Sequence, residues 1–152
     1  MKKVLTLCTI HTVDQVLLGM KKHGFGQGLW NGFGGKVEVG ESIEAAARRE
    51  VLEEVGLSVD TLDPSGVLTF SFDENDDVLE VHVFGVTEFN GEPRESDEMS
   101  PRWFPIDQLP YDEMWPDDRH WLPLLLAGKR FEGRFHFGTN NQLLKVLVKE
   151  VL

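Results

Sequence analysis

The chain has 152 residues, a length that suits one domain with a sizeable core, and 41% of its residues are apolar while 27% are charged. Fifteen Lys and Arg residues face 26 Asp and Glu residues, so the net charge of −11 argues against binding a nucleic-acid polymer or an anionic membrane. This charge does not exclude a nucleotide, because a small polyanion can enter an acidic pocket together with divalent cations.

Cysteine usage and the N-terminus both indicate a protein of a reducing compartment. Cys8 is the single cysteine, so no disulfide can form within the chain. The opening run "MKKVLTLCTIHTVD" is short, is broken by Thr and His, and lacks a small-residue cleavage site, which favours a first strand over a signal peptide. We expect a cytoplasmic protein, with minor nuclear or mitochondrial pools left open.

The first third of the chain predicts a hairpin followed by a loop. Strands are expected at 4–10 and 15–20, on either side of "HTVD". The stretch 21–36 contains six glycines and is predicted to be a loop with a short irregular strand. Its G-x-G pattern is a weak signal for a dinucleotide, because no helix opens directly after it.

A helix is predicted at 42–55. Ser42 is a suitable N-cap, and Gly56 is a suitable residue for ending the helix. Placing the residues at 100° intervals puts the apolar side chains on one face. We expect that core-facing side to consist of Ala45, Val51, Leu52 and Val55.

The remaining elements indicate an α/β fold. A second helix is expected to begin near "PDDRHW" and to end at Gly128, with Asp117 or Asp118 as its N-cap. The segment 143–151 fits either a strand or a helix, because its periodicity is ambiguous. Neither a repeat nor a linker divides residues 1–152, so we expect a single domain with a mixed sheet and helices on both faces. Further strands are predicted at 66–72, 78–89, 101–106 and 131–137.

Three glutamates share one face of the first predicted helix. Glu50, Glu53 and Glu54 lie at i, i+3 and i+4, where like charges cost a helix roughly 0.2–0.5 kcal/mol per pair. A solvated face is one interpretation, but such faces usually mix charge signs, and Arg49 is the only close cation, since Arg48 falls on the apolar side of the helix. The alternative is a site for a hard divalent ion, since Mg²⁺ prefers oxygen ligands.

The residues before this helix favour the metal interpretation. Gly34 and Gly35 would let backbone carbonyls and amides approach an ion and its phosphates closely. Lys36 supplies a positive point charge suited to a phosphate group.

Together these residues match a known sequence pattern. Gly35, Glu41 and the run "REVLEEVGL" at 49–57 resemble the Nudix box, G-x5-E-x7-R-E-U-x-E-E-x-G-U with U aliphatic, at every fixed position. The resemblance implies an α/β/α sandwich with a mixed β-sheet between two helices. It also implies an enzyme that cleaves nucleoside diphosphates linked to another group, using Mg²⁺ or Mn²⁺.

The resemblance also implies roles for individual residues. Arg49 would orient a glutamate through a charge-assisted hydrogen bond. Glu98, in "ESDEM", would be a further metal ligand or the general base, although its sequence context alone favours an acidic surface loop. The implied catalytic residues are Glu53, Glu54, Glu98 and Arg49, and the implied metal ligands are the Gly34 carbonyl, Glu50, Glu53, Glu54 and Glu98.

Four stretches outside the box resemble the Nudix enzymes that hydrolyse oxidised purine nucleoside triphosphates: "LLGMKKHGFG", "WNGFGGK", "ESDEM" and "MWPDD". This likeness implies a monomer that converts damaged purine nucleotides to monophosphates and diphosphate. Trp115 would stack on the purine, with Phe25 and Phe70 closing the slot, since an aromatic face binds any flat base. The other implied substrate positions are Thr6, Lys21, Asn31, Phe33, Gly34, Gly35, Lys36, Pro116, Asp117 and Asp118, of which the two aspartates would read the base edge.

Each assignment has a simpler alternative. Trp115 can be plain core, Asn31 can belong to a turn, and Phe25 can anchor a loop by its hydrophobic side chain. For the whole chain, the alternatives are a Nudix enzyme for another substrate, such as ADP-ribose or a dinucleoside polyphosphate, and a catalytically silent nucleotide sensor.

Overall fold

The computed structural model describes all 152 residues, Met1–Leu152. It contains eight strands and two α-helices. Short 3₁₀ turns cover Ile106–Gln108, Tyr111–Glu113 and Thr139–Asn141. In chain order the elements are β1 (Lys2–His11), β2 (Gln15–Lys21), β3 (Trp30–Asn31), α1 (Ile43–Val55), β4 (Asp63–Phe72), β5 (Val78–Val86), β6 (Met99–Pro105), α2 (Asp118–Leu126), β7 (Arg130–Phe137) and β8 (Leu143–Val151).

The strands form one mixed sheet in the order β3-β2-β1-β5-β4-β7-β8, with β6 on β2. Strand β1 pairs in parallel with β5, and β4 pairs in parallel with β7, while the other ladders are antiparallel. The predicted β1–β2 hairpin is confirmed, but β2 pairs with β1 only near the turn, whereas it pairs with β6 over its whole length. The segment whose periodicity was ambiguous is strand β8.

A hydrophobic cluster covers each face of the sheet. Successive side chains of strand β5 point to opposite faces of the sheet, so the strand contributes to both clusters. Val81 and Val83 belong to the cluster that contains α2, whereas Phe84 and Val86 belong to the cluster that contains α1. The fold is therefore an α/β/α sandwich, and the predicted fold class is confirmed.

Helix α1 begins and ends as predicted, but its buried face differs. The Ser42 hydroxyl accepts a hydrogen bond from the Ala45 amide at 3.1 Å, and Gly56 has the left-handed φ of 74°. Leu52 is 54% exposed and Ala45 is also exposed, so these two core assignments are wrong. The helix is turned so that Glu54, along with Ala46, Ala47, Val51 and Val55, faces the interior.

Helix α2 starts without the predicted side-chain cap. Asp117 occupies the N-cap position with helical dihedral angles of φ −74° and ψ −25°, and its carboxylate makes no capping hydrogen bond. Because helical angles at this position aim the side chain away from the free amides, both aspartates are available for another role. Neither helix is long and apolar enough to span a membrane.

Candidate active site

A cavity of about 270 Å³ opens beside β1 and β4, near the end of α1. More than half of its lining residues are hydrophobic, and its polar groups lie at two places, around Glu54 and around Asp118. The sequence-predicted site residues that line it are Thr6, Lys21, Phe25, Asn31, Gly34, Gly35, Glu54, Phe70, Trp115, Asp117 and Asp118.

Three predicted substrate contacts do not line the cavity. Phe33 is fully buried in the α1-side core, because its backbone pairs with Cys8 in both directions and directs the ring under the sheet. Lys36 is exposed beyond the cavity, and Pro116 is also outside its lining. The side chain of Phe33 therefore supports the core instead of contacting a ligand.

Two glycines permit a close approach of backbone and side chains at the cavity floor. A Cβ on Gly34 would lie 1.9 Å from the Thr6 carbonyl oxygen, and a Cβ on Gly35 would lie 2.6 Å from the Glu50 carboxyl carbon. No other residue type fits either place without moving the backbone or the glutamate. Segment 34–35 is thereby held between β1 and α1.

Glu54 is the buried carboxyl group of this floor. It is 2% exposed, and its Oε1 accepts a hydrogen bond from the Gly34 amide at 2.8 Å. Burial raises the pKa of Glu54 to about 8, against the opposing effect of the Gly34 hydrogen bond, and the charges of Glu50 and Glu98 raise it further. At neutral pH this carboxyl group is largely protonated.

Arg49 holds the other glutamates of the box. Its guanidinium donates twice to Glu41, at 2.8 and 3.0 Å, and once to Glu50, at 2.8 Å. A longer contact of 3.4 Å reaches Glu53, and another bond of 3.1 Å reaches the Lys36 carbonyl. Arg49 does not line the cavity, and its guanidinium instead holds the Glu41 and Glu50 carboxylates by hydrogen bonds.

The predicted metal ligands are close together but are not assembled. No three His, Cys, Asp or Glu side chains converge as a metal-binding group. Glu50 and Glu53 turn toward Arg49, and Glu98 lies 3.5 Å from the Lys21 ammonium. Side-chain rotation would be needed to bring these oxygens to one ion.

The chemistry of the group nevertheless fits a divalent cation. Its donors are all oxygens, which Mg²⁺ prefers. Burial raises the pKa of Glu50, and the charges of Glu53 and Glu98 raise it further, so negative charge is incompletely compensated here. A divalent cation would offset this repulsion.

Aromatic rings form the opposite part of the cavity. The Trp115 indole N–H donates to Asn31 Oδ1 at 3.0 Å, and the Phe25 ring lies 4.8 Å from the Trp115 ring at a 34° tilt. Phe70 stacks on Phe135 with ring centroids 5.4 Å apart. Trp115 is half-buried at the cavity wall and is not plain core.

The positions of Asn31 and Phe25 refine their predicted roles. Both polar ends of the Asn31 side chain have partners, because its amide nitrogen also donates to the Leu29 carbonyl at 2.7 Å. Phe25 and Trp115 touch each other, so a flat base cannot lie between these two rings without their separation.

Asp117 and Asp118 are both buried next to these rings. Asp117 accepts a hydrogen bond from the Trp121 indole N–H at 2.8 Å. Burial raises the pKa of both carboxyls, and for Asp118 the neighbouring Asp117 charge raises the pKa well above its ordinary value. The two carboxyls therefore titrate as a pair, and ionising both at once is unfavourable.

The sequence analysis missed several apolar lining residues. Phe72 and Phe137 share the cavity wall because the parallel β4–β7 register places Phe70 beside Phe135 and Phe72 beside Phe137. Alternation within "FSF" and "FHF" shows that these rings share a face of each strand, but pairing and register are not readable from alternation. The other missed residues are Leu5, Leu7, Gly32, Leu79, Val81 and Met99.

Comparison with known proteins gives one consistent result. The family model described as the NUDIX domain matches residues 2–125. The oxidized purine nucleoside triphosphate hydrolases of Danio rerio and Mus musculus are 52% and 49% identical over 98% of this chain and 96% of each relative. The crystal structure of the mutator MutT protein from Bacillus halodurans superposes with a TM-score of 0.86 at 30% identity, covering 97% of both chains.

The raised pKa of Glu54 predicts a pH-dependent stability of the metal-free protein. The folded pKa of about 8 exceeds the ordinary value of 4.5, so folding takes up a proton between these values and stability falls as pH rises through this window. Glu54→Gln should lack this pH-dependent component. Its free energy of unfolding, relative to that of the wild type, should therefore rise by up to ~1.4 kcal/mol for each pH unit within this window. Urea unfolding from pH 5 to 9 measures this difference.

The matched control is Glu53→Gln, one position earlier on α1 with a 59% exposed side chain. Its stability difference from the wild type should change little across the same pH range. Parallel stability curves for the wild type and Glu54→Gln would show that burial of Glu54 does not perturb its ionisation.

Proposed function

Because the chain belongs to the NUDIX family, we propose that it is a Mg²⁺-dependent hydrolase that converts oxidised purine nucleoside triphosphates to monophosphates and diphosphate. The full-length similarity to two hydrolases of this name supports the substrate class. Its cellular role would be to remove damaged nucleotides from the nucleotide pool. We further propose that residues 1–152 act as one domain and as a monomer in the cytoplasm.

One observation carries the proposal: a single cavity is lined by the Glu54 carboxyl of the Nudix helix and by the Trp115 ring with two buried aspartates. Glu54, Gly34 and Gly35 are at one part of this cavity, and Trp115 and Asp118 are at another. A nucleotide has the same division, with a polyphosphate at one end and a flat base at the other. The cavity therefore suits a ligand that needs both groups at once.

The metal would be held by the Gly34 carbonyl and by carboxylates of Glu50, Glu53, Glu54 and Glu98. When bound, a divalent cation would polarise the phosphoryl oxygens and lower the pKa of the attacking water. Glu54 must give up its proton to serve as a ligand, since only the carboxylate binds a metal well.

The chain's own residues supply orientation and proton transfer. Arg49 keeps Glu50 and Glu41 in fixed positions through three short hydrogen bonds. Glu98, exposed at the rim beside Lys21, can accept the proton of the attacking water or complete the ligand set. Lys21 lines the cavity and offers its ammonium to a phosphate.

The two aspartates are suited to choosing the base. A protonated carboxyl donates a hydrogen bond, whereas an ionised one only accepts. Asp117 and Asp118 share a buried position in which ionising both is unfavourable, so they present one donor and one acceptor. Moving the proton between them would let one cavity accept a guanine-like or an adenine-like edge.

A substrate panel tests the proposed function. With Mg²⁺ present, 8-oxo-dGTP and 2-oxo-dATP should release diphosphate with kcat/KM values well above those for dGTP and dATP. ADP-ribose and dinucleoside polyphosphates in the same panel test the other Nudix activities. Turnover of ADP-ribose or dinucleoside polyphosphates alone, or binding of oxidised nucleotides without turnover, would overturn the proposal.

The aspartate pair makes a second prediction, about pH and base choice. In the wild type, the ratio of 8-oxo-dGTP to 2-oxo-dATP kcat/KM should change with pH as the pair titrates. An amide cannot exchange donor and acceptor by gaining a proton, so Asp117→Asn and Asp118→Asn should each narrow the specificity. An unpaired buried polar group costs ~1–3 kcal/mol, so the two substrates should differ in their losses by about tenfold.

The measurement is kcat/KM for both substrates from pH 6 to 9 in the three proteins. Thermal unfolding of each variant controls for a general loss of structure, since Asp117 also binds Trp121. Equal losses for both substrates, together with a pH-independent ratio in the wild type, would contradict a role for the pair in base choice.

A further inference from the structure

The segment that carries Glu98 is fixed by residues of its own turn. Ser96 lies at the centre of that turn, and its hydroxyl accepts hydrogen bonds from the amides of Glu98, at 3.3 Å, and Met99, at 3.2 Å. Its amide in turn donates to the Met99 carbonyl at 2.9 Å. This turn lies directly before β6, whose first residue, Met99, pairs with Lys21 at the end of β2.

Lys22 ties this turn to the glycine-rich loop. Its ammonium donates to the Ser96 carbonyl at 2.7 Å and also pairs with the Glu95 carboxylate. Its backbone amide donates to the Glu98 carbonyl at 2.9 Å. One residue therefore contacts three of the four residues in segment 95–98.

The neighbouring lysine has a different environment. Lys21 points into the cavity and lies 3.5 Å from the Glu98 carboxylate, whereas Lys22 is absent from the cavity lining. The Lys22 ammonium has two hydrogen-bond partners, Glu95 and Ser96, whereas the Lys21 ammonium has one, Glu98. These contacts join Lys22 to the turn that carries Glu98.

We infer that Lys22 is a positioning residue, which holds turn 95–98 so that the Glu98 carboxylate stays beside Lys21 and Glu54. The inference rests on the proposed function for the role of Glu98 in turnover. Glu98 is half-exposed and has only the 3.5 Å contact with Lys21 to restrain its side chain. Its location therefore depends on the backbone of the turn, and catalytic groups must be held within fractions of an ångström.

The physical reason lies in the cost of ordering a short exposed turn. Fixing the backbone of one residue costs roughly 1–2 kcal/mol, and this segment has no strand pairing before Met99. The Lys22 ammonium supplies charge-assisted hydrogen bonds across the gap between two loops. Without them, the Ser96 turn would open more often and Glu98 would sample more positions.

The test compares the wild type with Lys22→Ala, Lys22→Arg and the control Lys129→Ala, which removes another Lys–Glu pair far from the cavity. Hydrogen exchange of the metal-free proteins is the first measurement. We expect the amides of Glu98 and Met99 to exchange about tenfold faster in Lys22→Ala, because the turn that protects them opens more often. Lys22→Arg keeps the charge and should retain slow exchange. The control should match the wild type.

Turnover of 8-oxo-dGTP is the second measurement. We expect kcat to fall about tenfold in Lys22→Ala, with KM changed less, as a misplaced reacting group lowers the rate of the bound complex. In a Glu98→Gln background the same Lys22→Ala change should cost almost nothing further, because both changes act through one group.

Two results would overturn the inference. Unchanged exchange of Glu98 and Met99 in Lys22→Ala would show that Lys22 does not hold the turn. An equal further loss of kcat in the Glu98→Gln background would show that Lys22 acts independently of Glu98. A wild-type protein without turnover would count against the proposed function instead, and the exchange rates would still decide whether Lys22 fixes the turn.

Discussion

The hydrogen bond between the Gly34 amide and the buried Glu54 carboxyl is the contact on which this site depends. It joins the glycine segment to helix α1 and is possible only because Gly34 has no Cβ to strike the Thr6 carbonyl. The contact fits the rotation of α1, in which Glu54, and not Leu52, faces the interior. The floor of the cavity and the orientation of the helix are therefore one arrangement, and a change in either would displace the other.

Around this contact the protein retains negative charge that its own cations neutralise incompletely. Arg49 binds Glu41, Glu50 and Glu53, but it leaves Glu54 to a single backbone amide. Burial and neighbouring carboxylates then keep Glu54 protonated, with a pKa of about 8. A cluster of this kind destabilises the metal-free fold and becomes favourable when a divalent cation is present, which is how a binding site can be maintained at a cost to stability.

The sequence was sufficient for the elements and for the chemical type of the site, but not for side-chain orientation. Alternation and capping residues located the helices and strands, and the spacing of the box residues identified the carboxylate cluster. Ala45, Leu52 and Phe33 were misplaced because helix rotation and isolated strand pairing depend on tertiary contacts. Phe72 and Phe137 were missed because the register of β4 on β7 determines which rings meet. Asn31 bonds Trp115, which is 84 residues away, and no sequence pattern suggests this contact. Asp117 bonds Trp121, and their spacing of 4 residues is one that suggests a contact on a helix.

Proton release on Mg²⁺ binding tests the central claim, that a buried, protonated Glu54 forms part of a cation site. Calorimetric titration of the protein with Mg²⁺ at pH 7, in buffers of different ionisation enthalpy, counts the protons released. Since the pKa of Glu54 is about 8, we expect about one proton per Mg²⁺ at pH 7, a release that disappears above pH 9 and in Glu54→Gln. Binding of Mg²⁺ at pH 7 without proton release, or with equal release in Glu54→Gln, would contradict the claim.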